Sequence, residues 1–163
     1  MISGKILGIA ACDPQGVMGR KGKLPWHCPE ELQHFRDTIQ TSPLIMGYRT
    51  FLTLPAHYFE KRIVIVFTHH KLEARPNLIS LSSLEEFLAL EGTFKELYVV
   101  GGAQIFSLFL KAKLIQAFIL TKMKNLYEGD TIFPLSLLKG WSSRKMRETS
   151  EFIIEEWEPV HAD

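Results

Sequence analysis

The chain has 163 residues, a formal net charge of +1, 46% hydrophobic and 23% charged residues. That is the size of one ordinary domain, burying roughly 70% of its unfolded surface without staples, and its near-neutral charge argues against nucleic acid as main partner. No apolar run is long enough to span a bilayer and Met1-Ile2-Ser3-Gly4-Lys5 lacks the layout of a secretory signal, so no membrane partner and a cytoplasmic location are expected.

Ile6 to Cys12 is an apolar run with almost no alternation, the pattern of a strand buried on both faces. Asp13-Pro14-Gln15-Gly16 ends it, and the glycine- and lysine-dotted stretch to Trp26 reads as a mobile loop. Pro29 opens a helix over 29–41, with Glu30 and Glu31 in a first turn that favours carboxylates. Leu44-Ile45-Met46 then leads through Gly47 into a helix over Arg49 to Leu54, and Arg62 to Thr68 is a β-branched run. Ser82-Ser83-Leu84-Glu85-Glu86 is a capped helix start. Leu97 to Val100 leads through Gly101-Gly102 into a helix over Ala103 to Lys111. Strands alternating with helices imply a mainly parallel sheet covered on both faces. Phe118 to Met123, Ser142 to Glu148 and Glu151 to Trp157 follow without helices between them, so the end of the sheet should be antiparallel. With no linker or repeat, residues 1–163 are expected to form a single α/β domain.

Cys12 and Cys28 lack a Cys-x-x-Cys arrangement, and the six histidines (27, 34, 57, 69, 70 and 161) lack zinc spacing. Two reduced thiols and no metal are expected.

At about 100° per residue, Leu32, Phe35 and Ile39 share one face of the 29–41 helix, and Glu31 falls on its margin while Glu30 and Asp37 point away. A Pro25-Trp26 turn can shield Glu31 from water, which would raise its pKa and let it manage a proton near neutrality. The bland reading is a first-turn charge with a nearby cation. Gly101-Gly102 at a strand end lets backbone approach a ligand, with a helix N-terminus behind it. Gly47-Tyr48-Arg49-Thr50 repeats the arrangement, and Thr68-His69-His70 ends a third strand. All three fall on the carboxyl edge of the sheet, where open α/β sheets bind ligands; together they suggest a dinucleotide.

With these residues in place, the chain closely resembles the dihydrofolate reductases over nearly its full length. The matches are Ile9-Ala10-Ala11; Val17-Met18-Gly19; Leu24-Pro25-Trp26; Glu31-Leu32 with Phe35; Ile45-Met46-Gly47; Thr50; Arg62 with Thr68; Val99-Val100-Gly101-Gly102; Leu120-Thr121; and Glu128-Gly129-Asp130-Thr131 with Phe133-Pro134. The resemblance implies an eight-stranded, mainly parallel mixed sheet with antiparallel C-terminal strands and four flanking helices. It implies NADPH-dependent reduction of 7,8-dihydrofolate, with Glu31 binding the pterin and promoting protonation at N5, Thr121 hydrogen-bonded to Glu31, and Trp26 holding a water beside it. Ile9, Ala11, Leu32, Phe35, Leu54 and Val100 would wall the substrate, and Arg62 would pair with its glutamate α-carboxylate. Ala11, Met18 and Gly19 would line the nicotinamide. Gly47, Arg49, Thr50, Gly101, Gly102, Ala103, Gln104 and Ile105 would surround the pyrophosphate, and Thr68 and His69 the adenosine 2′-phosphate. The 16–26 segment would close over the nicotinamide, docking on Glu128–Thr131. Partners would be small molecules, dihydrofolate and antifolate inhibitors, and the state a monomer.

Three departures stand out. Tyr48 takes the place of an Arg that bacterial members often use for the 2′-phosphate, Ala103 replaces a third glycine, and the 56–61 stretch leaves Lys61 as an alternative to Arg62. Arg62 is preferred because it keeps Thr68 in register. Two rivals remain: the pyrimidine reductase of riboflavin synthesis, expected to lack the Pro-Trp turn and the acid, and a non-catalytic folate or nucleotide binder.

Overall fold

The computed structural model describes residues 1–160; residues 161–163, the end of the expected single domain and the site of His161, lie outside the described residues. The apolar run at the start becomes β1 (Ile2–Cys12), the centre of an eight-stranded sheet. It pairs in parallel with β6 (Gly92–Gly101) on one side and with β7 (Ala117–Met123) on the other. Beyond β6 lie β3 (Leu44–Gly47), β4 (Val64–Phe67) and β5 (Leu78–Leu81), all parallel. Beyond β7 lie β10 (Phe152–Glu158) and β9 (Ser142–Glu148), both antiparallel to their neighbours. The mainly parallel sheet with an antiparallel C-terminal margin is as expected.

Helices cover both faces because buried parallel strands present apolar side chains on each. Phe35 and Ile39 of α1 (Pro29–Ile39) and Phe51 of α2 (Tyr48–Thr53) pack on one face with Leu7, Ile9, Met46, Val64 and Val66. Phe87 of α3 (Leu84–Leu88) and Phe106 and Phe109 of α4 (Ala103–Lys111) pack on the other with Ile6, Ile45, Leu97 and Val99. α3 starts as expected from its serines: Ser83 Oγ accepts from the Glu86 amide at 3.1 Å and Glu86 Oε1 accepts from Ser82 Oγ at 2.8 Å.

One glycine is a packing requirement. Gly8 lies beside Phe118 in the β1–β7 register, and a Cβ there would fall 2.3 Å from the Phe118 ring. That ring is fully buried among Phe106 and Phe133, with centroids 5.4 and 5.1 Å away. Gly8→Ala must displace it, so overpacking is expected to cost about 1–3 kcal/mol, read as a lower denaturation midpoint in urea.

Four expectations are corrected. The stretch before Trp26 is not simply a mobile loop: β2 (Val17–Gly19) pairs antiparallel with β8 (Thr131–Ile132). The partner is more than a hundred residues away, so no local pattern announces it. β5 has no counterpart in the expected elements, because Leu78–Leu81 is short and follows a featureless stretch. β4 begins at Val64, leaving Arg62 ahead of it. On α1, which ends at Ile39, the burial order is reversed: Glu31 is 7% exposed and Leu32 is 36% exposed.

Candidate active site

Because β1, β3, β4, β6 and β7 run in parallel, their carboxyl ends form one edge, bringing together Ala11, Gly47, Thr68, Gly101 and Thr121. The helix after β3 packs on one face and the helix after β6 on the other. Chains leaving neighbouring strands in opposite directions open a crevice between them.

Glu31 enters from α1. Pro29 at the first helical position fixes its start, and no side chain caps it. Trp26 is buried just upstream, tilted against Tyr127 with centroids 5.3 Å apart, and clusters with Cys28, Met123, Phe152 and Ile154, with Ala11 packed against them. Burial pushes the Glu31 carboxyl above its ordinary range, and the Trp26 indole N–H acts in the opposite direction without cancelling it. Trp26 Nε1 is buried with no hydrogen-bond partner among the described residues. Thr121 is buried beside Ala11 in the β1–β7 register; among the hydrogen bonds of the described residues, none joins it to Glu31. Glu30 and Asp37 face solvent as expected, Glu30 hydrogen-bonded to Arg147. Cys12 and Cys28 are free, and burial pushes Cys12 up to about 12, leaving an inert thiol.

Of the residues expected to wall the substrate, four pack together. Ile9, Phe35, Leu54 and Val100 belong to one cluster, Ala11 packs against another, and Leu32 is exposed. The aromatic members Tyr58 and Phe59, on a short 3-10 turn over Ala56–Phe59, escaped sequence reasoning because that turn has no periodicity. Their one signal is an aromatic pair between a proline and two cations. Tyr58 lies 6.1 Å from the Phe35 ring and Phe59 meets Phe51 edge-on at 5.4 Å. The Arg62 guanidinium sits 5.5 Å over the Tyr58 ring and its Nη2 donates to the Gln40 carbonyl; Nη1 is buried without a partner among the described residues. Lys61 is exposed and Arg62 half-buried.

The glycine corner forms a cradle. A Cβ on Gly101 or Gly102 would lie 3.5 or 3.7 Å from Thr50 Oγ1, and one on Gly47 would lie 3.0 Å from Ile105 Cγ1. Gly102 caps α4 with backbone alone, so the amides of Ala103, Gln104 and Ile105 lack helical partners and face the edge. Thr68 is half-buried, while Arg49 and His69 are exposed. A pyrophosphate fits this cradle of glycines and free amides.

Two loops latch together beside it, carrying Met18 and Gly19. Asp13, fully buried, accepts from the amides of Gln15, Val17 and Tyr127, each at 2.9 Å, tying both loops to the end of β1. The Asp130 amide donates to the Gly19 carbonyl at 2.9 Å, and the Lys21 amide donates to Asp130 Oδ2 at 3.0 Å. That amide holds the Asp130 carboxyl below the usual carboxylate range. Gly129 permits the approach: a Cβ would fall 2.4 Å from the Gly19 carbonyl oxygen and 2.5 Å from Val17 Cγ1. Gly129→Ala is expected to unlatch the loops, speeding amide exchange at Lys21 and Asp130 about tenfold while the core amides keep their protection. Unchanged exchange at those two amides would count against the latch.

Among the described residues, no group of three or more His, Cys, Asp or Glu could hold a metal, and no helix is long and apolar enough to cross a membrane. The profile of the family described as Dihydrofolate reductase matches residues 5–156. Dihydrofolate reductase from Lactococcus lactis is 30% identical over 166 residues, covering 95% of this chain and 98% of that protein. Dihydrofolate reductase type 3 from Salmonella typhimurium is 31% identical over 133 residues, covering 82% of this chain and 80% of that protein. Among solved structures, dihydrofolate reductase from Enterococcus faecalis complexed with NADP(H) and RAB-propyl superposes with a TM-score of 0.75 at 26% identity, covering 94% of this chain and 95% of that one. A buried acid, a glycine cradle and a latched loop on one sheet edge agree with these matches over nearly the whole length, and the chain belongs to the dihydrofolate reductase family.

Proposed function

We propose that this protein reduces 7,8-dihydrofolate to 5,6,7,8-tetrahydrofolate with NADPH. The observation that carries the reading is Glu31: a carboxyl taken from water by α1 and Trp26, its pKa raised by that burial, at the edge that also holds the glycine cradle. When bound, NADPH supplies the hydride added to C6 of the pterin. Glu31 receives the pterin's 2-amino group and N3 and promotes protonation at N5, for which a raised pKa suits it at neutral pH. Trp26 excludes bulk water, and its buried N–H, unpartnered among the described residues, would hold a water beside the carboxyl. Thr121, buried at the same edge, would hydrogen-bond the acid once the pterin is in place. Ile9, Ala11, Leu32, Phe35, Leu54 and Val100 hold the apolar body of the substrate, and Arg62 its α-carboxylate.

Gly47, Arg49, Thr50, Gly101, Gly102, Ala103, Gln104 and Ile105 hold the pyrophosphate and its surroundings, Thr68 and His69 the adenosine end, and Ala11, Met18 and Gly19 the nicotinamide. The same proposal includes inhibition by antifolates and a cytoplasmic monomer. Following NADPH oxidation in the presence of dihydrofolate tests it. Dihydrofolate-dependent loss of NADPH supports the enzyme; binding of both ligands without turnover would leave a non-catalytic binder instead.

A further inference from the structure

Asp13, the first residue beyond β1, is fully buried, and both of its carboxylate oxygens are committed. Oδ1 accepts from the amides of Gln15 and Val17, at the entry to β2, each at 2.9 Å. Oδ2 accepts, also at 2.9 Å, from the amide of Tyr127, which lies 114 residues away on the loop between β7 and β8. No cation pairs with Asp13 among the described residues, so these three N–H groups are what satisfies the buried carboxylate.

Tyr127 carries the contact onward. Its half-buried ring tilts against Trp26, centroids 5.3 Å apart and planes at 59°, and packs on the cluster that Trp26 forms with Cys28, Met123, Phe152 and Ile154. Trp26 is in turn the side chain whose polar group acts on the Glu31 carboxyl, where burial is the larger influence. Cys28 and Tyr127 are the titratable members of this surround. Glu30 is bonded to Arg147 and Glu151 stands against Cys28, so neither carboxylate is turned on the acid.

We propose that Asp13 is a positioning residue for the reaction, acting on Glu31 through the Tyr127 amide and the contact between the Tyr127 and Trp26 rings. This rests on the reading of Glu31 as the acid. A tyrosine pinned at its amide keeps its ring against Trp26, and Trp26 keeps water from the carboxyl. Once that amide is released, water reaches Glu31, and a carboxyl returned to water gives up its proton more readily. Only a group that accepts on both oxygens satisfies donors from two loops at once. An asparagine at this position keeps one oxygen for Gln15 and Val17 but sets an NH2 against the Tyr127 N–H, donor facing donor. It frees one loop and leaves the other held.

Asp13→Asn in the full-length protein is the test. Exchange at the Tyr127 amide should quicken about tenfold while the Val17 amide stays protected. The fall of kcat with rising pH should move about one unit toward acid, slowing turnover at pH 7 up to about tenfold with KM for dihydrofolate within about twofold. Carbon-13 NMR of the Glu31 carboxyl reads the same shift without turnover. Tyr127→Leu, which removes the ring and keeps the amide, should move the profile the same way, and Tyr127→Phe should not; Asp13→Asn added to Tyr127→Leu should move it no further. A Glu31 titration left in place by Asp13→Asn, or shifts that add in the double variant, overturns the proposal. If Asp13→Asn does not fold, an unmoved titration in Tyr127→Leu overturns it and a moved one supports it. Absence of dihydrofolate reduction by the wild type would instead overturn the reading of Glu31 as the acid, whatever the carboxyl titration shows.

Discussion

Glu31→Gln is expected to lower turnover of dihydrofolate by about 10²–10⁴-fold near pH 7, the usual contribution of a positioned acid, while NADPH affinity stays within about twofold. The amide keeps the shape of the side chain but replaces one accepting oxygen with a donating NH2 and cannot accept or hold a proton. Burial raises the carboxyl's pKa, with the Trp26 N–H only partly opposing it, so the protonated form persists nearer to neutral pH than for an exposed glutamate. The wild-type rate should therefore fall as pH rises through that raised pKa, and the variant should lose this step. A stability signature goes with it. A carboxyl with a folded-state pKa above its unfolded value binds the proton more tightly when folded, so stability declines as pH rises from the unfolded to the folded pKa. Glu31→Gln should accordingly melt higher than wild type at pH 7, with the gap closing below about pH 4. Steady-state rates across pH and paired thermal melts check both. An unchanged rate at pH 7 would remove Glu31 from the chemistry.

Arg62→Leu is expected to raise KM for dihydrofolate by about tenfold to a hundredfold, the loss of a charge-assisted pair with a carboxylate. Affinity for a compact diaminopyrimidine inhibitor, which carries no glutamate, should change by less than about threefold. The asymmetry follows from the placement of the guanidinium. Nη2 is committed to the Gln40 carbonyl and the plane lies over Tyr58, leaving Nη1 buried and unpaired among the described residues. An unpaired, partly desolvated donor is costly unless a ligand meets it; burial also lowers the Arg62 pKa from its ordinary value. Removing Arg62 frees the end of α1 as well, so a modest drop in melting temperature should accompany the KM effect. Equal weakening of substrate and inhibitor would point to Lys61 or to general loosening of the site.

Much of this is legible in the sequence. The β-branched runs followed by glycine and then helix predict the parallel order and the side of the sheet where ligands bind, because strand and helix periods are local properties of the chain. Glu31 announces itself in the same way, at the margin of an apolar helical face. Periodicity supplies an angle around the helix but not a depth. Trp26, Cys28 and their neighbours cover Glu31, and nothing comparable covers Leu32, so the acid is buried and the leucine exposed.

What the sequence alone determined, then, was the alternating α/β order, the glycine corner and Glu31 as the helix-start carboxylate bordering the core, since each depends on residues within a turn or two of one another. Only the tertiary structure decided that β2 pairs with β8, that Arg62 rather than Lys61 turns toward Tyr58, and that Tyr48 stacks on His70. Those contacts join segments folded independently in sequence. Their geometry follows from strand register and from which surfaces close around them, and no spacing along the chain encodes either.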